Sequence, residues 1–336
     1  MKLNRLGEFG LIENIRRRTP AGRDVRIGIG DDAASVKNRG DSSLITADLL
    51  IEGSHFDLRW TSLRDLGHKA LAVNLSDIAA MGGIPDYVIL SLGIPAHFDS
   101  EDIDAFYRGF EELAAECCVT LVGGDTNAAK KLIISVCVIG HSPAKPVERR
   151  GAKAGDDIYV TGTLGDSALG LKLLRRVRRN STRKGHPAVT LLARHHRPTP
   201  RLAAGAQLAK KKLATAMIDV SDGLLQDLGH ICRASAIGAI IEAARLPLSP
   251  AYCALAGKEG CGDALSGGED YELLFCARRQ NRTQIEKLSI RAQVAITRIG
   301  ACVPADRGIV VLDPSGKAVP MRIQGHDHFK KARLSV

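Results

Sequence analysis

The chain has 336 residues, 45% of them hydrophobic and 25% charged, with a formal net charge of +10. That length suits one large or two ordinary domains, and the mix is that of a soluble globular protein. No apolar run is long enough to span a bilayer, and the first nine residues carry Lys2, Arg5 and Glu8 instead of an apolar signal core, so a cytoplasmic protein is expected.

In chain order, residues 3–18 read as a short helix or arm, and 25–29 as a strand feeding the turn Gly28-Ile29-Gly30-Asp31-Asp32-Ala33-Ala34. Adjacent carboxylates at one turn repel unless water or a cation lies between them. Similar acidic turns recur at Asp48, Asp77, Asp125, Asp219, Asp222 and Glu269-Asp270, each after an apolar run. A strand over 43–47 ends at Asp48, and the turn at 52–56 carries His55. Apolar residues at helical spacing predict a helix over 63–81, with Asn74 and Asp77 on one face and Gly82-Gly83 closing it. A strand over 87–94 follows. Asp99 is placed to cap a helix running to about Cys117.

A strand over 119–122 leads into the glycine turn Gly123-Gly124-Asp125-Thr126-Asn127, whose amides would face an anion. The β-branched run 132–139 predicts a central strand. Pro143 to Pro146 reads as a linker, which puts a domain boundary near residue 143, dividing 1–143 from 144–336. Arg149 and Arg150 follow, with the fork geometry that suits phosphate. A strand over 157–161, a turn over 162–166 and a helix over 167–178 come next. The basic run of residues 175–184 lacks interleaved aromatics, so it reads as a solvated surface and nucleic acid is not an expected partner.

Thr199-Pro200 would open a helix running to about Lys211. A strand over 214–218 ends in Asp219-Val220-Ser221-Asp222-Gly223, and the helix over 224–233 would offer its first amides to an anion. Strands over 239–242, 295–299 and 308–312, a helix near 284–288, and the glycine turn Ser266-Gly267-Gly268-Glu269-Asp270 complete the pass. Eight cysteines with no CxxC pair indicate reduced thiols rather than a zinc ribbon.

If the strand ends gather at one edge, the carboxylates Asp32, Asp48, Asp77, Asp125, Asp219 and Asp222 meet there. Oxygen ligands without a Cys or His set suit Mg²⁺, and Mg²⁺ suits polyphosphates. No P-loop or protein-kinase motif set is present. The residues alone therefore indicate a Mg-dependent nucleotide enzyme of another architecture.

Seven motifs make that specific: GIGDDAA at 28–34, TADLLIEGSHF at 46–56, KALAVNLSDIAAMGG at 69–83, LVGGDTN at 121–127, YVTGTLGDSALGL at 159–171, IDVSDGLLQDLGHI at 218–231 and LSGGEDYELLF at 265–275. Together they resemble the thiamine-monophosphate kinase family, within the aminoimidazole-ribonucleotide-synthetase-like superfamily that binds ATP without a P-loop. The resemblance implies a two-domain α/β, PurM-like fold. Its N-terminal sheet domain would form a barrel across a homodimer, and a C-terminal α/β domain would close the active site.

It also implies γ-phosphoryl transfer from ATP to thiamine monophosphate, as the last step to thiamine diphosphate. By motif, Asp32, Thr46, Asp48, Asp77, Asp125, Asp219 and Asp222 would hold several Mg²⁺ ions. Tyr107, Gly124, Asp125, Arg149 and Ser221 would contact ATP, and His55, Glu269 and His326 would face thiamine monophosphate. No residue is assigned as a general base. Ala47 stands where some relatives carry Thr, and the tail reads GHDHF at 325–329. The rival readings are an enzyme of the same superfamily with another acceptor, a metal- or nucleotide-binding regulator, and a basic nucleic-acid binder.

Overall fold

The computed structural model describes residues 25–27, 34–37, 42–176, 185–257 and 260–319. Two sheets organise them. The first has six strands in the order β1-β2-β3-β6-β4-β5, formed by Val25–Ile27, Ala34–Lys37, Ser42–Ile51, Ile133–His141, Ile84–Pro95 and Thr120–Ala129 respectively. The β-branched run at 133–141 is indeed interior, paired to β3 on one side and β4 on the other. Only β4 and β5 run parallel in this sheet.

Helix α1 (Leu63–Ala80) connects β3 to β4, and α2 (Ser100–Glu116) connects β4 to β5. Ser62 caps α1 by accepting from the Asp65 N–H, and Asp99 caps α2 in a reciprocal box with Asp102. The two helices cross closely. A Cβ on Gly67 would lie 2.0 Å from the Phe106 carbonyl oxygen, and one on Gly109 would lie 1.8 Å from that of Arg64.

Both helices bury their apolar residues against one face of the sheet, with Leu66, Leu71, Leu75, Phe106, Phe110 and Ile134 in the core. The other face is apolar and exposed at Ile45, Leu49, Tyr87 and Ile89.

The second sheet has seven strands in the order β13-β12-β9-β11-β7-β10-β8: Ala318–Val319, Ile309–Leu312, Ile237–Glu242, Ile296–Pro304, Asp157–Thr161, Leu273–Ala277 and Ala216–Asp219. Helices cover both of its faces. Helix α6 (Leu224–Ser235) and the short α8 (Gly262–Ser266) pack on one side. On the other lie α5 (Leu202–Lys210) and α9 (Arg282–Arg291), joined by Ala79 and Ala80 from the end of α1. The remaining helices are α3 (Asp166–Arg176), α4 (Pro187–His196) and α7 (Pro250–Leu255).

Helix α1 is therefore the element both sheets share. It is buried on nearly every side from Leu66 to Ala80, as a helix between two layers must be. A narrow alanine-rich surface at its C-terminal end admits the second sheet.

Four expectations change. The strand bearing Asp48 continues to Ile51, and the segment bearing Gly124 and Asp125 is strand β5 throughout, so both aspartates sit within strands. In β5 the reason is pairing: it runs beside β4 from Thr120 to Ala129, and that ladder overrides the turn preference of its glycines. Helix α5 starts at Leu202 with Arg201 at its cap, beyond Thr199-Pro200. Helix α4 was not anticipated. It is capped by His186 with Pro187 in its first turn. No described helix is long and apolar enough to cross a membrane.

Candidate active site at the junction of the two sheets

The inner face of β3, one face of α1, the end of β8 and the loop before β10 meet where the two sheets approach. From β3, the Thr46 hydroxyl donates to Asp77 Oδ2 at 2.6 Å, and the Asp48 N–H donates to Asn74 Oδ1 at 3.0 Å. Strand alternation turns Thr46 and Asp48 toward α1, and puts the exposed Ala47 side chain on the opposite face. From α1, the buried Ser76 hydroxyl donates to Asp219 Oδ2 at 2.6 Å. Asp219 is itself buried at the end of β8. Hydroxyl donors of this kind favour the ionised carboxylate.

Tyr271 reports the convergence. Burial pushes its phenol well above the usual range, and the charges of Glu269, Asp48, Asp219 and Asp77 push it further. Four carboxylates from four different segments thus act on one hydroxyl. The loop carrying Tyr271 is fastened to the β8 turn: the Glu269 N–H donates to the Ser221 carbonyl at 2.8 Å, and the Tyr271 N–H to that of Val220 at 2.9 Å. Glu269 and Tyr271 both have positive φ, 67° and 51°. Non-glycine residues hold such angles only where the surroundings over-determine them.

The turn before α6 is closed by a side chain of that helix. The amides of Ser221, Asp222 and Gly223 all donate to Asp227 Oδ2, at 3.1, 3.1 and 3.0 Å. The chain fills its own anion site, so those N–H groups are not open to a phosphate. Burial, then the Asp222 and Asp219 charges, drive the Asp227 carboxyl well above the usual range, against the pull of the amides. Asp222 is half-buried beside them and accepts from Gln226 Nε2 at 3.0 Å.

The other expected residues are placed as follows. His55 sits in the turn after β3, its Nδ1 accepting from the Ile51 N–H at 3.0 Å, which puts the proton of the neutral ring on Nε2. Gly124 and Asp125 lie on the exposed edge strand β5, and Asp125 accepts from the Thr126 N–H and Asn127 Nδ2 within that strand. Arg149 follows β6 and accepts the Ser235 hydroxyl at its carbonyl. Its charge, after burial, helps lower His230 to about 4. Tyr107 lies on α2 with its ring edge on Phe106. Asp32 and His326 fall outside the described residues, as does most of the basic run at 175–184.

Lys69, Ser76, Asp227 and Tyr271 were not singled out from sequence as site-formers. Lys69 and Asp227 did carry a signal, each being a charged residue set within an apolar helical motif.

Among the described residues no three His, Cys, Asp or Glu side chains gather closely enough to cage an ion. Mg²⁺ needs no such cage, because it keeps waters and binds through one or two carboxylates plus substrate phosphates. The all-oxygen donor set, with carboxylates presented from β3, α1 and β8, fits that mode.

Residues 30–142 match the AIR synthase related protein N-terminal domain, and residues 153–313 match its C-terminal domain. The thiamine-monophosphate kinase of Bacillus subtilis (strain 168) is 37% identical over 330 residues, 97% of this chain and 100% of its own. That of Escherichia coli (strain K12) is 40% identical over 327 residues, 96% and 98% respectively. The solved structure of AaThiL complexed with AMPPCP and TMP has a TM-score of 0.84 at 34% identity, covering 98% of this chain and 99% of that one. With both domains matched and relatives this similar along almost the whole length, the chain belongs to the thiamine-monophosphate kinase family of phosphotransferase enzymes.

Proposed function

We propose that the protein transfers the γ-phosphoryl group of ATP to thiamine monophosphate, giving thiamine diphosphate and ADP. The observation that carries this reading is that β3, α1 and β8 bring three aspartates to one place, with the Thr46 hydroxyl donating to Asp77 at 2.6 Å, the Asp48 N–H to Asn74 at 3.0 Å and the Ser76 hydroxyl to Asp219 at 2.6 Å. The AaThiL complex with AMPPCP and TMP supports the choice of donor and acceptor.

The acceptor oxygen belongs to a phosphate monoester whose second pKa is about 6, so it is largely ionised at neutral pH. A strong general base is unnecessary. The task is to bring two anions together in line and to hold them. Bound Mg²⁺ would neutralise charge on the transferring phosphates. The residues for it are Asp48, Asp77, Asp219 and Asp222, with Thr46 orienting Asp77, and with Asp32 and Asp125 completing the set. Arg149, Ser221, Gly124 and Tyr107 are assigned to ATP, and His55, Glu269 and His326 to thiamine monophosphate. The division near residue 143 separates a nucleotide- and metal-binding half from the half that closes over it.

The exposed apolar face of the first sheet supports a homodimer, since Ile45, Leu49, Tyr87 and Ile89 form a patch of the kind monomers seldom leave open. Unbridged cysteines among the described residues agree with a reducing compartment.

The test is product analysis with purified protein, ATP, Mg²⁺ and thiamine monophosphate. ADP and thiamine diphosphate should appear together and require all three additions. Asp77→Asn and Asp219→Asn should each lower turnover on the order of a hundredfold while the circular dichroism spectrum is kept. Wild-type turnover in both variants would remove the metal assignment.

A further inference from the structure

Glu269 is held from both halves of the molecule. Lys69, on α1 beside the first sheet, has a side chain only 3% exposed and places Nζ 2.8 Å from Glu269 Oε1. His195, at the end of α4, places Nδ1 3.4 Å from Glu269 Oε2. The same ring nitrogen lies 3.0 Å from the hydroxyl of Ser167 at the start of α3. Both His195 and Ser167 are buried.

A buried ammonium is rare and needs a charge partner, because its desolvation is not repaid by packing. Lys69 finds that partner in a carboxylate that is itself about a third exposed, at 29%. The pair therefore runs from the protein interior to the open edge of the site. Burial, then the Lys69 charge, lowers His195 to about 3, so the ring is neutral and backs Glu269 as a dipole. Both geometries depend on the left-handed backbone at Glu269, fixed through Ser221 to the turn that carries Asp219 and Asp222.

We propose that Lys69 is a positioning residue that acts through Glu269, with His195 behind it, and sets affinity for the acceptor rather than the rate of phosphoryl transfer. This rests on the reading above that Glu269 faces thiamine monophosphate. A thiazolium ring carries a fixed positive charge, so a carboxylate held in place and aimed toward it attracts that ring. Removing Lys69 would leave Glu269 free to rotate away from the acceptor, which weakens the attraction. ATP does not touch this pair in the proposal, so its binding should be spared.

The experiment is a double-mutant cycle on the full chain, read by steady-state kinetics for each substrate and by a thermal melt. Lys69→Met keeps the stem and deletes the ammonium. It should raise the KM for thiamine monophosphate roughly ten- to hundredfold, with kcat and the KM for ATP changing far less. Lys69→Arg should recover most of the loss. In a Glu269→Gln background, Lys69→Met should add nothing, because both changes act through one carboxylate.

Should Lys69→Met fail to fold, His195→Gln provides the second arm. It should raise the same KM, more weakly, and be silent in Glu269→Gln. Additive penalties, or equal losses in kcat and in both KM values, overturn the inference while leaving the kinase reading intact. Wild-type protein that makes no thiamine diphosphate overturns the functional reading, and this inference with it.

Discussion

His68, His195, His196 and His230 are all held below the ordinary imidazole value of 6.5, in each case first by burial. His195 falls to about 3 and His230 to about 4. The unfolded chain takes up these protons near pH 6.5 and the folded chain does not, so acid favours unfolding. The histidine contribution to stability is complete above pH 6.5 and is lost as pH falls toward 4 and then 3, at up to about 1.4 kcal/mol per pH unit for a group such as His195. Asp157 acts only at lower pH, because Arg282 and Arg298 outweigh burial and hold its carboxyl below 3.8. Asp270 works the other way, since burial raises its carboxyl to about 8 and the folded chain keeps a proton there that the unfolded chain has lost. The readout is therefore the difference between two proteins, and His195→Gln should lose less melting temperature than the wild type between pH 7 and pH 5. An unchanged slope in the variant would show that another group carries it. Single residues such as Asp77 and Asp219 were legible as candidate site members because an aspartate amid apolar neighbours is costly without a purpose. Ser76, which donates to Asp219 across 143 positions, was not, since a serine in a helix is ordinary.

Among elements, the loop at 267–271 packs tightly on the β8 turn. A Cβ on Gly268 would lie 2.3 Å from the Ser221 carbonyl oxygen, the acceptor that fixes Glu269. Gly268→Ala should push the loop off the β8 turn and move Glu269 and Tyr271 together. A displacement of about 1 Å at such a site costs on the order of a hundredfold in rate. The variant should melt cooperatively but turn over slowly, and full activity would show that the loop tolerates the shift. Just beyond it, Glu272 is fully buried between Arg194 and Arg201 and accepts the Thr161 hydroxyl at 2.7 Å. Glu272→Gln should cost about 3 kcal/mol, because two guanidinium groups lose their counter-charge. Chemical denaturation measures that directly. The elements were mostly readable from periodicity and caps: α2 runs from its predicted Asp99 cap to within a residue of its predicted end. The failures were at β5 and α4, where a strand partner and a short histidine-ended helix leave little local signal.

At the scale of the molecule, the first sheet has helices on one face only among the described residues. Leu49 and Tyr87 on the other are 49% and 52% exposed in the single chain. Leu49→Arg should convert a dimer to a monomer in analytical ultracentrifugation, and a wild-type monomer would refute the pairing. The second sheet has no such open face, since α5 and α9 cover one side and α6 and α8 the other.

By itself the sequence determined the two-domain α/β class, the family, and the aspartates of β3, α1 and β8, because those depend on local motifs whose order along the chain is preserved. The tertiary structure decided which of them meet. Asp77 meets Thr46, and Asp219 meets Ser76, only because α1 lies between both sheets. It also decided that the amides of the turn before α6 are taken by Asp227 and that Lys69 reaches Glu269, 200 positions away. Contacts at such separations follow from how layers pack, and packing is a property of the assembled surfaces rather than of any stretch of chain.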